Sequence, residues 1–109
     1  MIEVSAGEAA VLIDSGGVLL DVREAEEWVA GHVAGALFIP IGEIQARLDE
    51  IPSDRRVVVI CRSGGRSAVV TEALNSVGVD AVNLAGGITA WSSEGRPVVT
   101  DGGNPGKVI

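Results

Sequence analysis

The sequence predicts an α/β domain with three layers, in which helices cover both faces of a small, mostly parallel central sheet. Short aliphatic runs alternate along the chain with segments whose apolar residues recur at helical spacing, which is typical of strands joined by crossover helices. Apolar residues make up 47% of the 109 residues and aromatic residues only 3%. The core must therefore be aliphatic, as it is in parallel sheets that are buried on both faces.

The first predicted elements are a helix and a strand. Ser5 is followed three positions later by Glu8, a capping-box pattern that predicts a helix running to about Asp14. Two glycines then interrupt the chain, and VLLDV at 18–22 indicates a buried strand.

The next segment contains three further predicted elements. REAEEWVAG is acidic and ends at Gly31, which predicts a short helix, and a strand at about 36–39 ends at Pro40. Apolar residues then recur at helical spacing between charged residues, which predicts a helix over 41–51. These apolar residues are Ile41, Ile44, Leu48 and Ile51.

The second half of the chain contains two predicted strands and two predicted helices. VVVI at 57–60 is the most apolar strand, and the helix that follows its loop runs to about Val77. AVNL at 81–84 is the last strand. GGITAWSSEG predicts a short final helix with Ile88 and Trp91 on one side.

These elements form one predicted domain over residues 1–100, followed by a glycine-rich C-terminal tail at 101–109. The net charge of −7 argues against nucleic acid as a partner. No apolar run reaches the length of a membrane span, and no basic leader followed by an apolar stretch is visible. We therefore expect no membrane partner and a cytoplasmic location, while the oligomeric state is not predicted.

Cysteine usage argues against two kinds of site. A single cysteine has no partner for an internal disulfide, and one cysteine with one histidine is too small a ligand set for a structural zinc ion. We therefore expect no metal site and no cofactor.

The stretch VVVICRSGGRSAVV indicates chemistry at the only cysteine. Cys61 stands at the carboxyl end of the most apolar strand, where parallel sheets bind ligands. Gly64 and Gly65 allow successive backbone N–H groups to converge on an anion, and Arg62 and Arg66 add positive charge. Because a cation in the first turn of a helix opposes the helix dipole, Arg66 indicates a functional or tertiary requirement. The loop favours thiolate over thiol, so Cys61 is predicted to be a nucleophile.

Other interpretations of these residues remain open at this point. Cys61 is alternatively a small buried hydrophobe, and Arg62 a solvated surface charge. His32 lies in a turn, where we expect it to hydrogen-bond the backbone rather than to act as a general base. Asp21 and Arg23 lie at the end of a neighbouring strand, where they either pair and brace the loop or only cap the strand.

Four segments together resemble the rhodanese homology domain in order and spacing. They are LLDVREAEEW, GHVAGALFIP, VVVICRSGGRS and NLAGGITAW, and the similarity extends from about Glu3 to Thr100. The resemblance implies a small parallel sheet flanked by helices and a sulfurtransferase of the thiosulfate:cyanide class. In such an enzyme the cysteine takes a sulfane sulfur from a donor, holds it as a persulfide and passes it to a thiophilic acceptor such as cyanide or a thiol.

The resemblance also implies roles for individual residues. Cys61 forms the persulfide, Asp21 and Arg23 are supporting residues, and His32 is structural. The active-site loop, whose backbone amides hold the outer sulfur, comprises Arg62, Ser63, Gly64, Gly65, Arg66 and Ser67.

The length and composition of the loop bear on the reaction. Four residues separate Cys61 from Arg66, whereas rhodanese-related phosphatases and arsenate reductases typically have five, so the spacing favours a single sulfur atom over a tetrahedral oxyanion. Ser63 stands where two-domain thiosulfate enzymes often carry lysine, so a preference for thiosulfate is not implied. The donor and acceptor are expected to be small molecules or a protein that bears a persulfide or thiol. The alternatives are a non-catalytic rhodanese-like binding module and an oxyanion enzyme.

Overall fold

The computed structural model describes all residues 1–109, and it has the α/β architecture that the sequence predicts. Its five strands are β1 (Glu3–Val4), β2 (Val18–Asp21), β3 (Leu37–Phe38), β4 (Val57–Ile60) and β5 (Ala81–Leu84). Its four helices are α1 (Ala6–Asp14), α2 (Ala25–Ala30), α3 (Gly65–Ser76) and α4 (Gly87–Ser93). The strands lie in the order β1-β5-β4-β2-β3, and every neighbouring pair is parallel.

Strand β4 lies at the centre of the sheet and contributes to both halves of the core. Its side chains alternate between the faces, so that Val58 and Ile60 pack with residues of α1 and α4, while Val57 and Val59 pack with residues of α3. All four side chains are fully buried, and each such burial stabilises the fold by about 1.5–3 kcal/mol. The strand therefore fixes the position of the residue that follows it, Cys61.

Helix α1 begins as its sequence pattern predicts. The backbone N–H of Glu8 donates to Ser5 Oγ over 3.1 Å, and the N–H of Ser5 donates to Glu8 Oε1 over 2.9 Å. This capping box satisfies two backbone donors that a helix start would otherwise leave unpaired.

The helix predicted over 41–51 is wrong. The segment forms two separate 3₁₀ turns, Ile41–Glu43 and Leu48–Glu50, and Gly42 in the first of them weakens helix formation. The apolar spacing that suggested a helix still serves the core, since turns of either kind place every third or fourth residue on one side. The buried residues of this segment are Ile44 and Ile51.

Both ends of the chain are held against the body of the domain. Strand β1, which is too short to give a sequence signal, pairs with β5 and aligns Glu3 with Asn83. Near the other end, Val98 is buried and the backbone N–H of Lys107 donates to Ala30 O over 3.0 Å. None of the helices is both long and apolar enough to cross a membrane.

Candidate active site

Cys61 lies where β4 ends and the loop to α3 begins, and it is 1% exposed. Strand β2 ends beside it, because Asp21 is aligned with Ile60 in the parallel ladder. The carboxyl ends of both strands thus meet at one edge of the sheet, as their positions in the sequence predict.

The sulfur of Cys61 accepts two hydrogen bonds from the residues that follow it. The backbone N–H of Gly64 donates to Sγ over 3.1 Å, and the hydroxyl of Ser67 donates over 3.2 Å. Gly64 adopts a φ of +111°, a conformation that L side chains rarely adopt. This glycine therefore lets the loop turn back so that its N–H faces the sulfur.

These contacts change the acidity of the thiol. Burial by itself raises the pKa of Cys61, but the Ser67 hydroxyl and the backbone N–H groups of Ser67, Gly64 and Ser63 stabilise the thiolate and outweigh burial. The pKa of Cys61 consequently lies below its ordinary value, which increases the fraction of nucleophilic thiolate at neutral pH.

Two further backbone donors lie at the start of α3. The N–H groups of Gly65 and Arg66 make no hydrogen bond, as expected for the first turn of a helix. They belong to the same loop that holds Sγ, so the site has unused donors for a second atom carrying negative charge.

Asn83, a buried residue of β5, connects the loop to the sheet. Asn83 Nδ2 donates to the carbonyl oxygen of Gly64 over 3.1 Å and to Glu3 Oε2 over 2.9 Å. Gly64 thus donates to the sulfur through its N–H and is held by Asn83 through its carbonyl oxygen. A residue outside the loop therefore helps to fix the position of Gly64 relative to Cys61.

The start of α4 holds the beginning of the loop. The backbone N–H of Ile88 donates to Cys61 O over 2.8 Å, and that of Thr89 donates to Arg62 O over 3.1 Å. Gly87 makes this approach possible, since a Cβ there would lie 2.5 Å from both of these carbonyl oxygens. Close backbone packing therefore requires a glycine at position 87, the first residue of α4.

Arg66 is paired with an acidic residue of α2. Its Nη1 and Nη2 donate to Glu27 Oε1 and Oε2 over 2.7 and 2.9 Å, a bidentate ion pair. Hydrogen bonding to Arg66 lowers the pKa of Glu27 from 4.5 to about 2. This pair is the tertiary reason for a cation in the first turn of α3, and it neutralises one of the two loop arginines.

The other polar residues of the loop face solvent. The Arg62 and Ser63 side chains are exposed, and Arg62 Nε donates to Ile109 O over 2.9 Å. None of the four surface cavities is lined by a residue of the loop 61–67. The site is therefore a shallow cradle at the surface rather than a deep pocket.

Asp21 and Arg23 form a buried ion pair next to this cradle. Arg23 Nη2 donates to Asp21 Oδ2 over 2.8 Å and to Gly31 O over the same distance, and both side chains are almost completely buried. Of the two expectations for these residues, the pairing is therefore observed. Neither side chain hydrogen-bonds Cys61, so their contact with the site is indirect.

Both ring nitrogens of His32 have partners other than the cysteine. Its Nδ1 lies 2.8 Å from Trp28 O, its Nε2 lies 3.3 Å from Asp101 Oδ1, and its ring stacks on that of Trp28 with centroids 3.6 Å apart. The expectation that His32 binds backbone rather than serving as a base for Cys61 agrees with this geometry.

Three residues that shape the site were not found from the sequence. Glu27 belongs to an acidic helix whose three glutamates look equivalent, and Asn83 is a single polar residue in an apolar strand. The polar residue in AVNL was the available signal, because a buried amide needs partners. Gly87 was visible as half of a glycine pair, although its contact with the cysteine loop depends on tertiary structure.

Comparisons with known proteins identify relatives of this chain. The rhodanese-like domain family model matches residues 5–94. A sulfurtransferase of Allochromatium vinosum is 44% identical over 94 residues, which cover 84% of this chain and 88% of that protein. YtwF of Bacillus subtilis, a putative sulfurtransferase, is 40% identical over 79 residues, which cover 72% of this chain and 77% of that protein.

The fold is also found in a solved structure. The crystal structure of a rhodanese-related protein from Thermoplasma volcanium is 35% identical and has a TM-score of 0.87. It covers 93% of this chain, and this chain covers all of it. The layered parallel sheet predicted from the sequence is thereby confirmed.

Proposed function

The chain belongs to the rhodanese-like domain family, and from this membership we propose that it is a sulfurtransferase that carries sulfane sulfur as a persulfide on Cys61. The observation that carries the proposal is the sulfur of Cys61 held by two hydrogen-bond donors, Gly64 N–H and the Ser67 hydroxyl. A buried cysteine that only packs, or a domain that only binds a partner, has no need of donors aimed at the sulfur.

In the first half of the reaction, the Cys61 thiolate attacks the sulfane sulfur of a donor such as thiosulfate. A bond forms between Sγ and that sulfur, while the S–S bond of the donor breaks and sulfite leaves with the bonding electron pair. The lowered pKa of Cys61 supports this step, because the thiolate is the attacking species.

The resulting persulfide places a second, negatively charged sulfur above Cys61. The unpartnered N–H groups of Gly65 and Arg66 are suited to receive it, because they open the helix that follows the loop. These donors require no proton transfer, so the cradle stabilises the persulfide without a separate acid or base.

In the second half of the reaction, a thiophilic acceptor attacks the outer sulfur. With cyanide, a C–S bond forms, the S–S bond of the persulfide breaks and thiocyanate leaves, which regenerates the Cys61 thiolate. A thiol, free or on a protein, is the alternative acceptor. The shallow cradle supports access by a protein-bound donor or acceptor as well as by small molecules.

The remaining assignments follow from the same site. Arg62 and Ser63 form the exposed rim, and the buried pair of Asp21 and Arg23 supports the strand end beside Cys61. We assign the protein to a reducing compartment such as the cytoplasm, where its single thiol stays reduced. The bidentate pairing of Arg66 with Glu27 disfavours a phosphatase or arsenate reductase, in which that cation would be needed for a tetrahedral oxyanion.

Intact-mass spectrometry after incubation with sulfane donors tests the proposal. We expect the protein to gain one sulfur atom and to lose it when cyanide is added, with one thiocyanate formed for each protein molecule. Because Cys61 is the only cysteine, any thiol adduct is assigned without mapping. Cys61→Ala should show no gain, and an unchanged mass of the wild-type protein with thiosulfate, mercaptopyruvate and persulfide donors alike would exclude the function.

A further inference from the structure

The two arginines of the loop do not act equally on an arriving anion. Arg66 lies in the chain between Gly64 and Ser67, the two residues that bind Sγ of Cys61. Hydrogen bonding to Glu27 and, to a lesser degree, the Cys61 thiolate raise the pKa of the Arg66 guanidinium. Its exposed neighbour Arg62 extends into solvent, with Nε on the carbonyl oxygen of Ile109. Arg66 is therefore the cation whose availability matters for the charge at the sulfur.

That cation is occupied by Glu27. Both carboxylate oxygens are engaged, at 2.7 and 2.9 Å, and the Glu27 side chain is only 13% exposed. A planar, two-point contact of this kind neutralises the charge of the guanidinium and fixes its orientation toward Glu27, and its shielding reduces screening by salt. Two other acidic residues of the same segment, Glu24 and Glu26, are exposed and add negative charge near α2.

We propose that Glu27 determines donor selectivity by neutralising Arg66, so that the site favours sulfane donors of low charge over the thiosulfate dianion. The inference rests on the proposed function, because donor selectivity presupposes sulfur transfer. Glu27 touches neither the sulfur nor its hydrogen-bond donors Gly64 and Ser67, so it acts on the charge of the site and not on the thiol itself.

The first test compares two donors that differ by one charge. Methanethiosulfonate has a methyl group where thiosulfate has a charged oxygen, and attack on its sulfane sulfur releases methanesulfinate in the way that thiosulfate releases sulfite. In Glu27→Gln, the ratio of kcat/KM for thiosulfate to that for methanethiosulfonate should rise about three- to tenfold, because Arg66 becomes available. Glu27→Asp keeps the charge and should stay near the wild-type ratio.

Glu26→Gln is the matched control. It removes the same charge from the same helix, but Glu26 is exposed and forms no ion pair, so its ratio should change less than about twofold. An unchanged ratio in Glu27→Gln, or an equal rise in Glu26→Gln, would overturn the assignment.

The second test does not depend on sulfur transfer. Iodoacetate and iodoacetamide both alkylate a thiolate, but only iodoacetate is an anion, so the ratio of their rates reports the charge at Cys61. This ratio should rise in Glu27→Gln and not in Glu26→Gln. If no donor forms a persulfide, the proposed function fails, and this ratio alone supports or overturns the role of Glu27.

A measurement on Arg62→Gln, which removes the exposed loop cation and keeps Glu27, covers the case in which Glu27→Gln does not fold. With Arg66 neutralised, the iodoacetate-to-iodoacetamide ratio of this variant should stay constant or rise between about 0.02 M and 0.5 M salt, because screening then removes no attraction. A ratio that falls with salt would mean that Arg66 still attracts the anion, and would overturn the proposal.

Discussion

The hydroxyl of Ser67, the third residue of α3, donates a hydrogen bond to the sulfur of Cys61 over 3.2 Å. Ser67 is itself fully buried, and its backbone carbonyl oxygen accepts a hydrogen bond from Thr71 Oγ1 over 2.7 Å. The donor is thus held by the helix and not by a mobile loop.

Ser67→Ala should make Cys61 a weaker nucleophile. Hydrogen bonds to sulfur lower the pKa of Cys61, so removing one raises that pKa, and the alkylation rate at neutral pH should fall about three- to tenfold. The pH at which the rate reaches half its maximum should move upward. Ser76→Ala, at the far end of α3, is the control, and an unshifted profile in Ser67→Ala would contradict the assigned contact.

Asn83→Leu should lower both stability and reactivity. The substitution removes the hydrogen bonds to Gly64 and Glu3, and we expect a loss of about 1–3 kcal/mol in the free energy of unfolding together with slower alkylation of Cys61. Asn75→Leu is the matched control. Asn75 Nδ2 also donates to two carbonyl oxygens, those of Val79 and Ala81 at 3.1 and 3.0 Å, but neither belongs to the cysteine loop. Asn75→Leu should lose a similar free energy of unfolding, while the alkylation rate of Cys61 should not change. Equal alkylation rates in the two variants would mean that Asn83 does not position the loop.

Gly87→Ala should displace the cysteine loop. The added Cβ would meet the carbonyl oxygens of Cys61 and Arg62 at 2.5 Å, and the backbone φ of +58° is unfavourable for alanine as well. We expect a loss of about 2 kcal/mol or more, measured by urea unfolding, and a drop in Cys61 reactivity. Gly42→Ala, which has open space around its Cβ position, should lower neither stability nor reactivity.

The ion pair of Glu27 and Arg66 should make stability depend on acid pH. The pKa of Glu27 falls from 4.5 to about 2 on folding, so its contribution is complete above pH 4.5 and is lost as the pH falls through about 2. After allowing for the partial exposure of Arg66, we expect this contribution to be about 1 kcal/mol. Between pH 5 and pH 2, the free energy of unfolding should therefore change less with pH in Glu27→Gln than in Glu26→Gln. The same pH dependence in both variants would argue against the pairing.

Most of the framework could be predicted from the sequence because it depends on local patterns. The apolar run of β4, the capping box at Ser5 and the glycines after Cys61 each act within a few residues, and each was placed correctly. The predicted helix over 41–51 is wrong because apolar spacing does not distinguish an α-helix from two 3₁₀ turns, which bury Ile44 and Ile51 equally well.

The electrostatics of the site could not be predicted in the same way. The position of Arg66 in the first turn of a helix indicates a functional or tertiary requirement, but the sequence does not show that a residue 39 positions away neutralises it. Nothing in the sequence distinguishes Glu27 from Glu26, because the difference is created by which side of α2 faces α3. The sequence therefore predicts a nucleophile but not the charge of its surroundings.

The contacts of Asn83 have a consequence for folding. Its side chain joins Gly64 to Glu3, and Asn83 and Glu3 are 80 positions apart. Contacts between such distant segments close large loops and are slow to form. During synthesis, or after partial unfolding, the cysteine loop therefore lacks the contact that Asn83 provides. We expect Cys61 to reach its full nucleophilicity only in the assembled domain, in which Asn83 holds the loop from β5.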